Sequence, residues 1–393
     1  MEIDTYIEKK KNIENILLEY LDCEEENRID YYENFIFIIE NDGALDDRCE
    51  LTALLHLILE VSNNYKRSPH FFDRIEEILN YLSEIIEQTY SNNEIFNIFK
   101  SNKRILLFLF ESGIVKINQT IANKMINKRN KNANYLTYFY PEIKDYLDDN
   151  TRSIVESEIH DFIQNEQEFE MFRKSGENHE KICELIRDDK VDEFVQYVNV
   201  YNISLSKTIE YSIFETNSIL YKRFFSFLNE KPTLIEYAAF FGSIQIFKYL
   251  YFNEASINNL IWKYVIHGKN SDLVHFIEEK KIEPFDKNYL ICLLDSVKCH
   301  HNDMANYFLN NYFESQTEKL NDVFIKAMKY YNYSFFLSKF DDKVTFYFLC
   351  QYDYATIVKI LMKTIKFNIN EKTILKFIFE FNSKFKYFLI VKV

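Results

Sequence analysis

Short apolar stripes alternate with short polar segments along most of the chain. Near the N-terminus one stripe recurs at intervals of three and four residues, which places its members on one face of an α-helix. It consists of Ile13, Ile16, Leu17, Tyr20 and Leu21. A similar stripe over 75–86 predicts another helix, whereas no segment keeps the alternating pattern of a β-strand. The pattern therefore predicts an all-α fold of successive amphipathic helices.

The helical pattern becomes self-similar in the second half of the chain. Five apolar pairs mark it, namely Ile246-Phe247, Leu273-Val274, Met304-Ala305, Phe335-Phe336 and Ile357-Val358, at spacings of 27, 31, 31 and 22 residues. A second small or apolar pair lies seven or eight positions upstream of each, and a polar turn such as 242-GS-243 separates the two. Each unit is predicted to be a helix, a tight turn and a second helix. Repetition near 30 residues is typical of an α-solenoid.

One segment, 233-TLIEYAAFFG-242, matches a known repeat motif at several positions. It resembles the ankyrin-repeat motif T-P-L-H-x-A-A-x-x-G, with Leu234 and Glu236 in place of the usual Pro and His. The second replacement is expected to weaken the hydrogen bonds that tie ankyrin repeats together. With 182-ICELIRDDKVDEFVQYV-198 and 297-VKCHHNDMANYF-308, the chain resembles a divergent ankyrin-repeat family expanded in trichomonad protists. That family has a helical region of unknown function ahead of its repeats, and the resemblance implies protein recognition without naming a ligand.

The polar punctuation predicts three regions. We expect an N-terminal helical domain over 1–150, a helical linker over 151–180 and an ankyrin-like repeat array of helix-turn-helix units over 181–393. The end of the chain, 374-ILKFIFEFNSKFKYFLIVKV-393, stays strongly apolar, whereas a solenoid needs a polar terminal repeat. This end indicates either an array truncated at its C-terminus or a segment that docks on another molecule.

Charge and composition narrow the classes of function. The net charge is −14, and no arginine follows Arg223, which argues against a nucleic-acid partner. Apolar runs such as 105-ILLFLF-110 are far shorter than the ~20 residues that span a bilayer, and the N-terminus lacks the apolar core of a signal peptide. The 6 cysteines have no disulfide spacing. We expect a cytoplasmic protein without a membrane span.

Candidate catalytic and metal sites have little support in the sequence. The 5 glycines lie outside any phosphate-binding motif, and no protease or hydrolase motif occurs. The segment 292-CLLDSVKCHHND-303 combines Cys, His and Asp, but six residues separate its cysteines, whereas zinc sites typically have two to four. We expect no enzymatic activity, no cofactor and no metal. A hydrolase would gain support only if Cys49, His56 and His70 met in one cleft.

A binding surface remains as the main hypothesis. The ankyrin resemblance implies that the first helix of each repeat lines a concave side, where outward positions contact a partner. The predicted partner-binding residues are Tyr237, Phe240, Tyr264, His267, Asp295, Lys298, Lys326 and Lys329. Their lysines would favour an acidic segment of the partner, although the same positions also fit ordinary helix surface.

The predicted function is therefore non-catalytic recognition of another protein, whose identity the sequence leaves open. An alternative from a different class is a structural or assembly protein that self-associates through residues 366–393.

Overall fold

The computed structural model describes residues 2–126, 134–221, 231–285, 287–313, 317–336 and 343–364. In these ranges the regular elements are helices, accompanied by one isolated β-bridge between Thr208 and Thr233. The predicted all-α fold is therefore confirmed for the described residues. Within the same ranges, no helix combines the length and the apolar character needed to cross a membrane.

The described residues contain 25 helices. The first thirteen in chain order are α1 (Ile3–Asp22), α2 (Arg28–Asn41), α3 (Arg48–Asn64), α4 (Phe71–Tyr81), α5 (Ser83–Thr89), α6 (Asn92–Phe99), α7 (Lys103–Glu111), α8 (Gln119–Ile126), α9 (Asn134–Tyr138), α10 (Tyr140–Ile143), α11 (Asp149–Glu158), α12 (His160–Ile163) and α13 (Glu166–Ser175). The next are α14 (Lys181–Arg187), α15 (Val191–Val200), α16 (Ser218–Tyr221), α17 (Leu234–Phe241), α18 (Ile244–Phe252), α19 (Ile261–Gly268), α20 (Ser271–Glu279), α21 (Leu290–Lys298), α22 (Asn302–Tyr312), α23 (Thr317–Tyr330), α24 (Lys343–Gln351) and α25 (Ala355–Thr364). Short 3₁₀ turns cover Glu25–Asn27, Lys144–Tyr146 and Tyr333–Phe335.

The described residues form two compact units. Unit 1 is drawn from Met1–Val61, Ser68–Phe71 and Asn288–Val393, and unit 2 from Ser62–Arg67 and Phe72–Lys287. Unit 1 therefore combines the N-terminal helices with helices from the C-terminal part of the sequence. The three regions expected from the sequence, with boundaries near 150 and 181, stay predictions.

The apolar stripes of the N-terminal helices are buried. All five residues of the stripe on α1, from Ile13 to Leu21, lie in the core of unit 1. The stripe over 75–86 is also largely buried, but the chain forms two helices there, α4 and α5, rather than one. At the break the Ser83 hydroxyl donates a hydrogen bond to the Asn80 carbonyl at 2.7 Å, a side-chain contact that competes with continuous helix.

Helix pairs joined by tight turns occur in the C-terminal part of unit 2. Gly242, in the left-handed conformation with φ 72°, ends α17, and α18 begins two residues later. Lys269 and Asn270 separate α19 from α20 in the same way. First helices pack on first helices, α14 on α17 and α17 on α19, while α15 packs on α18. The turns predicted at 242–243 and 269–270 therefore lie between helices as expected.

Polar side chains in these turns connect successive helix pairs. In unit 2 the Ser243 hydroxyl donates to the Ile186 carbonyl at 2.5 Å, and the Asn270 amide donates to the Gly242 carbonyl at 2.8 Å. In unit 1 the Asn332 amide donates to the Val297 carbonyl at 2.9 Å. Each accepting carbonyl lies in the last turn or at the C-cap of the first helix of the preceding pair, where carbonyls lack a partner within the helix.

At the start of one predicted helix, the described residues form a 3₁₀ turn instead. The repeat pattern placed the second helix of its fourth unit at Phe335-Phe336, whereas the structure has the 3₁₀ turn Tyr333–Phe335 and an extended Phe336. The Asn332 side chain accepts a hydrogen bond from the Ser334 N–H at 3.2 Å, which favours the tight turn. Residues 366–393, the segment proposed for self-association, lie outside the described ranges.

A buried lysine holds a loop of unit 2 through backbone carbonyls. Lys103, at the start of α7, donates to the carbonyls of Ile213 at 3.0 Å and Glu215 at 3.3 Å. Its ammonium nitrogen also lies 4.8 Å from the centroid of the Tyr138 ring. Burial lowers the pKa of Lys103 to about 7, against the opposing influence of Glu215. Burial therefore weakens the hold of Lys103 on its proton, although two backbone carbonyls accept hydrogen bonds from its ammonium group.

Candidate functional site: a lysine cluster around Tyr330

Four of the predicted partner-binding residues are in unit 2, and their side chains are buried. They are Tyr237, Phe240, Tyr264 and His267. α17 is buried over seven of its eight residues, because it packs against α14, α18 and α19. The outward orientation expected for these four positions is therefore wrong. Whether any of them contributes to partner binding stays a prediction.

Local contacts explain why these positions point inward. The His267 ring stacks on the Phe240 ring with centroids 3.8 Å apart and planes within 8°. The Tyr237 hydroxyl accepts a hydrogen bond from Arg187 Nη1 at 3.1 Å. These side chains fill the space between the first helices of neighbouring helix pairs. The ankyrin resemblance predicts a concave, solvent-facing surface at these positions.

The other four predicted residues come together in unit 1. Asp295 and Lys298 belong to α21, Lys326 and Lys329 belong to α23, and the two helices pack on each other. The ammonium nitrogens of the three lysines lie 5.8, 5.5 and 5.4 Å from the centroid of the Tyr330 ring, in chain order. Lys326 Nζ also lies 3.5 Å from Asp295 Oδ1. We call these five residues the lysine cluster.

Helical spacing and helix polarity both favour this arrangement. Asp295 and Lys298 are three residues apart, and Lys326 precedes Lys329 and Tyr330 by three and four, so each set lies on one helix face. Lys298 is the last residue of α21, and Tyr330 is the last residue of α23. The positive groups thus gather at two helix C-termini, where the helix dipole favours cations.

The cluster contains more positive than negative charge. Three lysines against Asp295 and the nearby Glu60 give a formal charge of +3 − 2 = +1. Burial lowers the pKa of Lys326, and the nearby Lys298 and Lys329 lower it further, while Asp295 opposes the change. Burial and then Glu60 raise the pKa of the Tyr330 phenol above its usual value. Tyr330 is therefore a neutral hydrogen-bond donor at physiological pH, beside crowded cations.

Access to the cluster is graded. Lys329 is exposed, Asp295, Lys326 and Tyr330 are half-buried, and Lys298 is buried with 9% of its surface exposed. An anionic group arriving from solvent would therefore meet the exposed Lys329 before the half-buried members of the cluster. Among the residues that the structure describes, Asp295 is the carboxylate paired with these lysines.

The residues considered for metal binding or catalysis have other partners. Cys292, Cys299, His300 and His301 are buried, and within the described part of the chain no group of three or more His, Cys, Asp or Glu could hold a metal ion. Cys49 accepts a hydrogen bond from Lys359 at 3.3 Å, while His56 stacks on Tyr331.

The sequence prediction missed Tyr330, although its position relative to the lysines was readable. Tyr330 lies four residues after Lys326 and directly after Lys329, so helical spacing alone places the ring beside one ammonium group. Comparisons of the chain with protein-family models, with curated proteins and with solved structures give no significant match. The resemblance to ankyrin-repeat proteins therefore stays a prediction.

Proposed function

We propose that the chain is a non-catalytic scaffold that recognises another protein, and that the lysine cluster contacts an acidic segment of this partner. One observation carries the proposal: three ammonium groups surround one half-buried tyrosine, and one of them is paired with the carboxylate of Asp295. Burial is the main cause of the lowered pKa of Lys326, and the like charges of Lys298 and Lys329 lower this pKa further. An acidic ligand would relieve this repulsion.

The chemistry of the cluster suits carboxylate side chains. Lysine is a compact point charge without the fork geometry of arginine, so it attracts an acidic group without fixing its orientation. The Tyr330 hydroxyl would add a hydrogen bond and its ring an apolar contact. The exposed Lys329 is expected to affect mainly the association rate and the salt dependence, and the more buried Lys326 the dissociation rate.

We also propose that the helix pairs are divergent ankyrin-like repeats arranged as a solenoid. The packing of α14 on α17 and of α17 on α19, together with the hydrogen bonds from Ser243 and Asn270 to preceding turns, supports this view. In a solenoid each repeat buries its face against its neighbours. A scaffold packed in this way does not have to order on association, which favours binding.

A fluorescein-labelled hexaglutamate peptide provides a direct test, with binding followed by fluorescence anisotropy at low salt. Lys329→Glu should weaken binding about tenfold, since it reverses a charge at the accessible edge of the cluster. Binding to the wild type should also weaken as salt is added. Lys181→Glu is the matched control, because Lys181 is 48% exposed in its side chain and the net charge changes equally. Equal weakening by both variants would contradict the proposal, as would a wild type that does not bind.

A further inference from the structure

A buried carboxylate–imidazole pair lies directly behind the lysine cluster in unit 1. Glu14 of α1 has 0% of its surface exposed, and His300, in the turn after α21, has 2%. Glu14 Oε1 is 2.7 Å from His300 Nδ1, and His300 Nε2 is 3.0 Å from the carbonyl oxygen of Tyr330. Both imidazole nitrogens face oxygen acceptors, which fits an imidazolium paired with a carboxylate.

The second carboxylate oxygen of Glu14 binds the residues that follow Tyr330. Glu14 Oε2 accepts hydrogen bonds from the N–H groups of Tyr333 at 2.7 Å and Ser334 at 3.3 Å. A single side chain of α1 therefore holds the segment 330–334 at both ends, directly at 333–334 and through His300 at 330. Asn332 ties the middle of this segment to the last turn of α21 through the Val297 carbonyl.

A buried carboxylate–imidazole pair is better suited to fixing the positions of its neighbours than to stabilising the fold. Taking a carboxylate and an imidazolium out of water costs several kcal/mol per ion, and apolar residues of similar size often stabilise a core equally well. A fully hydrogen-bonded ion pair, however, allows only one arrangement of its partners. His300 also has a left-handed backbone, with φ 55°, a conformation that is uncommon for a residue other than glycine.

We propose that Glu14 and His300 are positioning residues for the lysine cluster. Glu14 orients His300, His300 fixes the carbonyl of Tyr330 at the end of α23, and the fixed Tyr330 ring sets the positions of the three ammonium groups. The N-terminal helix α1 is thereby part of the recognition site. The inference rests on the function proposed above for its biological meaning, but the positioning itself can be measured without a partner.

Amine acetylation measures the positioning directly. Wild type and variants are treated with an N-hydroxysuccinimide acetate, and the rates at Lys298 and Lys326 are determined by mass spectrometry. Each rate is divided by that of Lys359 in the same unit, so that a general loss of stability cancels. Glu14→Ala and His300→Asn should raise the ratio at Lys298 roughly threefold, because Tyr330 and its segment open locally.

The variants are chosen so that a loss of side-chain positioning can be distinguished from a loss of folding. Asparagine tolerates the left-handed conformation at position 300, so His300→Asn removes the imidazole contacts without adding backbone strain. Glu14→Gln should keep ratios near those of the wild type. Its amide can donate to a neutral His300, and its oxygen can still accept from the Tyr333 N–H. Rescue by this conservative variant would support the hydrogen-bonded relay.

Glu50→Gln is the matched control for general loosening of α1. Glu50 belongs to α3 and binds the helix that carries Glu14, because its Oε2 is 2.5 Å from Lys10 Nζ of α1. Its Oε1 accepts a hydrogen bond from the Thr356 hydroxyl at 2.5 Å. Unchanged ratios in Glu14→Ala and His300→Asn would overturn the inference, as would an equal rise in Glu50→Gln. Raised acetylation ratios in Glu14→Ala and His300→Asn would support positioning whatever the result of the peptide experiment. Unchanged hexaglutamate binding in Lys329→Glu would reject only the proposed function.

Discussion

Replacing Gly268 by alanine should destabilise unit 2 by about 2 kcal/mol. Gly268 is the last residue of α19, and a Cβ atom there would lie 2.9 Å from the backbone nitrogen of Gly242 and 3.0 Å from its Cα. It would come closer still to the carbonyl oxygen of Ala239 on α17. All three obstacles are backbone atoms, so relief requires the two helices to separate.

The magnitude follows from two opposing contributions. In an open helix, Gly→Ala stabilises by about 1 kcal/mol. Overpacking costs about 1–3 kcal/mol, and moving α19 away from α17 also disturbs the 3.8 Å stacking of His267 on Phe240 and the 2.8 Å hydrogen bond from Asn270 to Gly242. Weakening that hydrogen bond adds about 1 kcal/mol. The balance is a net loss of about 2 kcal/mol.

Alanine variants of two other glycines in unit 2 distinguish the cost of steric overlap from the cost of backbone strain. Gly242 and Gly113 both have left-handed backbones, with φ 72° and 78°, and an L-residue there costs about 1–2 kcal/mol. A Cβ at Gly113 meets nothing within 4 Å, whereas one at Gly242 would lie 2.6 Å from the Gly268 carbonyl oxygen. Gly113→Ala should therefore lose only the conformational contribution, and Gly242→Ala should lose that contribution and a steric one.

Urea unfolding followed by tryptophan fluorescence gives the required readout. Trp262 is the single tryptophan of the chain, it lies on α19, and its indole donates to the Ile282 carbonyl at 2.7 Å. The fluorescence therefore reports the helix that carries Gly268. A Gly268→Ala variant as stable as the wild type, or more stable, would refute the reasoning. So would equal losses in Gly113→Ala and Gly242→Ala.

Three further predictions concern buried polar groups. Burial lowers the pKa of Lys103 to about 7, so from pH 7 upward the unfolded state binds more protons. The wild type should then gain about 2 kcal/mol over Lys103→Met between pH 7 and pH 9 in urea titrations, and a constant difference would contradict this. The lowered pKa of Lys326 means that hexaglutamate affinity should begin to fall below the usual lysine pKa of about 10.4, and Lys326→Gln should remove this early part of the fall. Asn332 donates to the Val297 carbonyl and to Asn302 Oδ1 at 2.8 Å, so in thermal melts Asn332→Asp should be less stable than Asn332→Ala, because it places an acceptor against two acceptors.

Local pattern was sufficient to predict the all-helical character of the described residues and several turns. Gly242 ends α17 in the left-handed conformation because only glycine adopts it without strain, and the sequence places it between two apolar segments. Glu236 was expected to weaken contacts between repeats. Instead it forms a capping box with Thr233 and accepts a hydrogen bond from Asn258 at 3.1 Å. A carboxylate three residues after a threonine is itself a readable helix-start motif.

The orientation of the predicted contact positions could not be obtained from the same pattern. Helical spacing shows which residues share a face, but α17 has neighbours on several sides, so Tyr237 and Phe240 are buried on a face that would be outward in a helix with fewer neighbours. The lysine cluster was partly predictable, because its members recur at i, i+3 and i+4 on two helices. Their meeting at Tyr330 depends on the packing of α21 against α23, which spacing within one helix does not determine.

The charged residues on the buried face of α1 determine its docking more closely than its apolar residues do. An apolar stripe can pack in several registers, whereas Lys10 and Glu14, one turn apart, must each find a partner. Glu14 finds donors 286 to 320 residues away in the sequence, and Lys10 pairs with Glu50. A shift of α1 by one turn, about 5.4 Å, would leave both charges buried without these partners, at a cost of about 3–5 kcal/mol for each broken pair. Polar residues inside an apolar stripe therefore indicate from sequence that a specific distant partner exists, although only the structure identifies it as the segment around His300 and Tyr333.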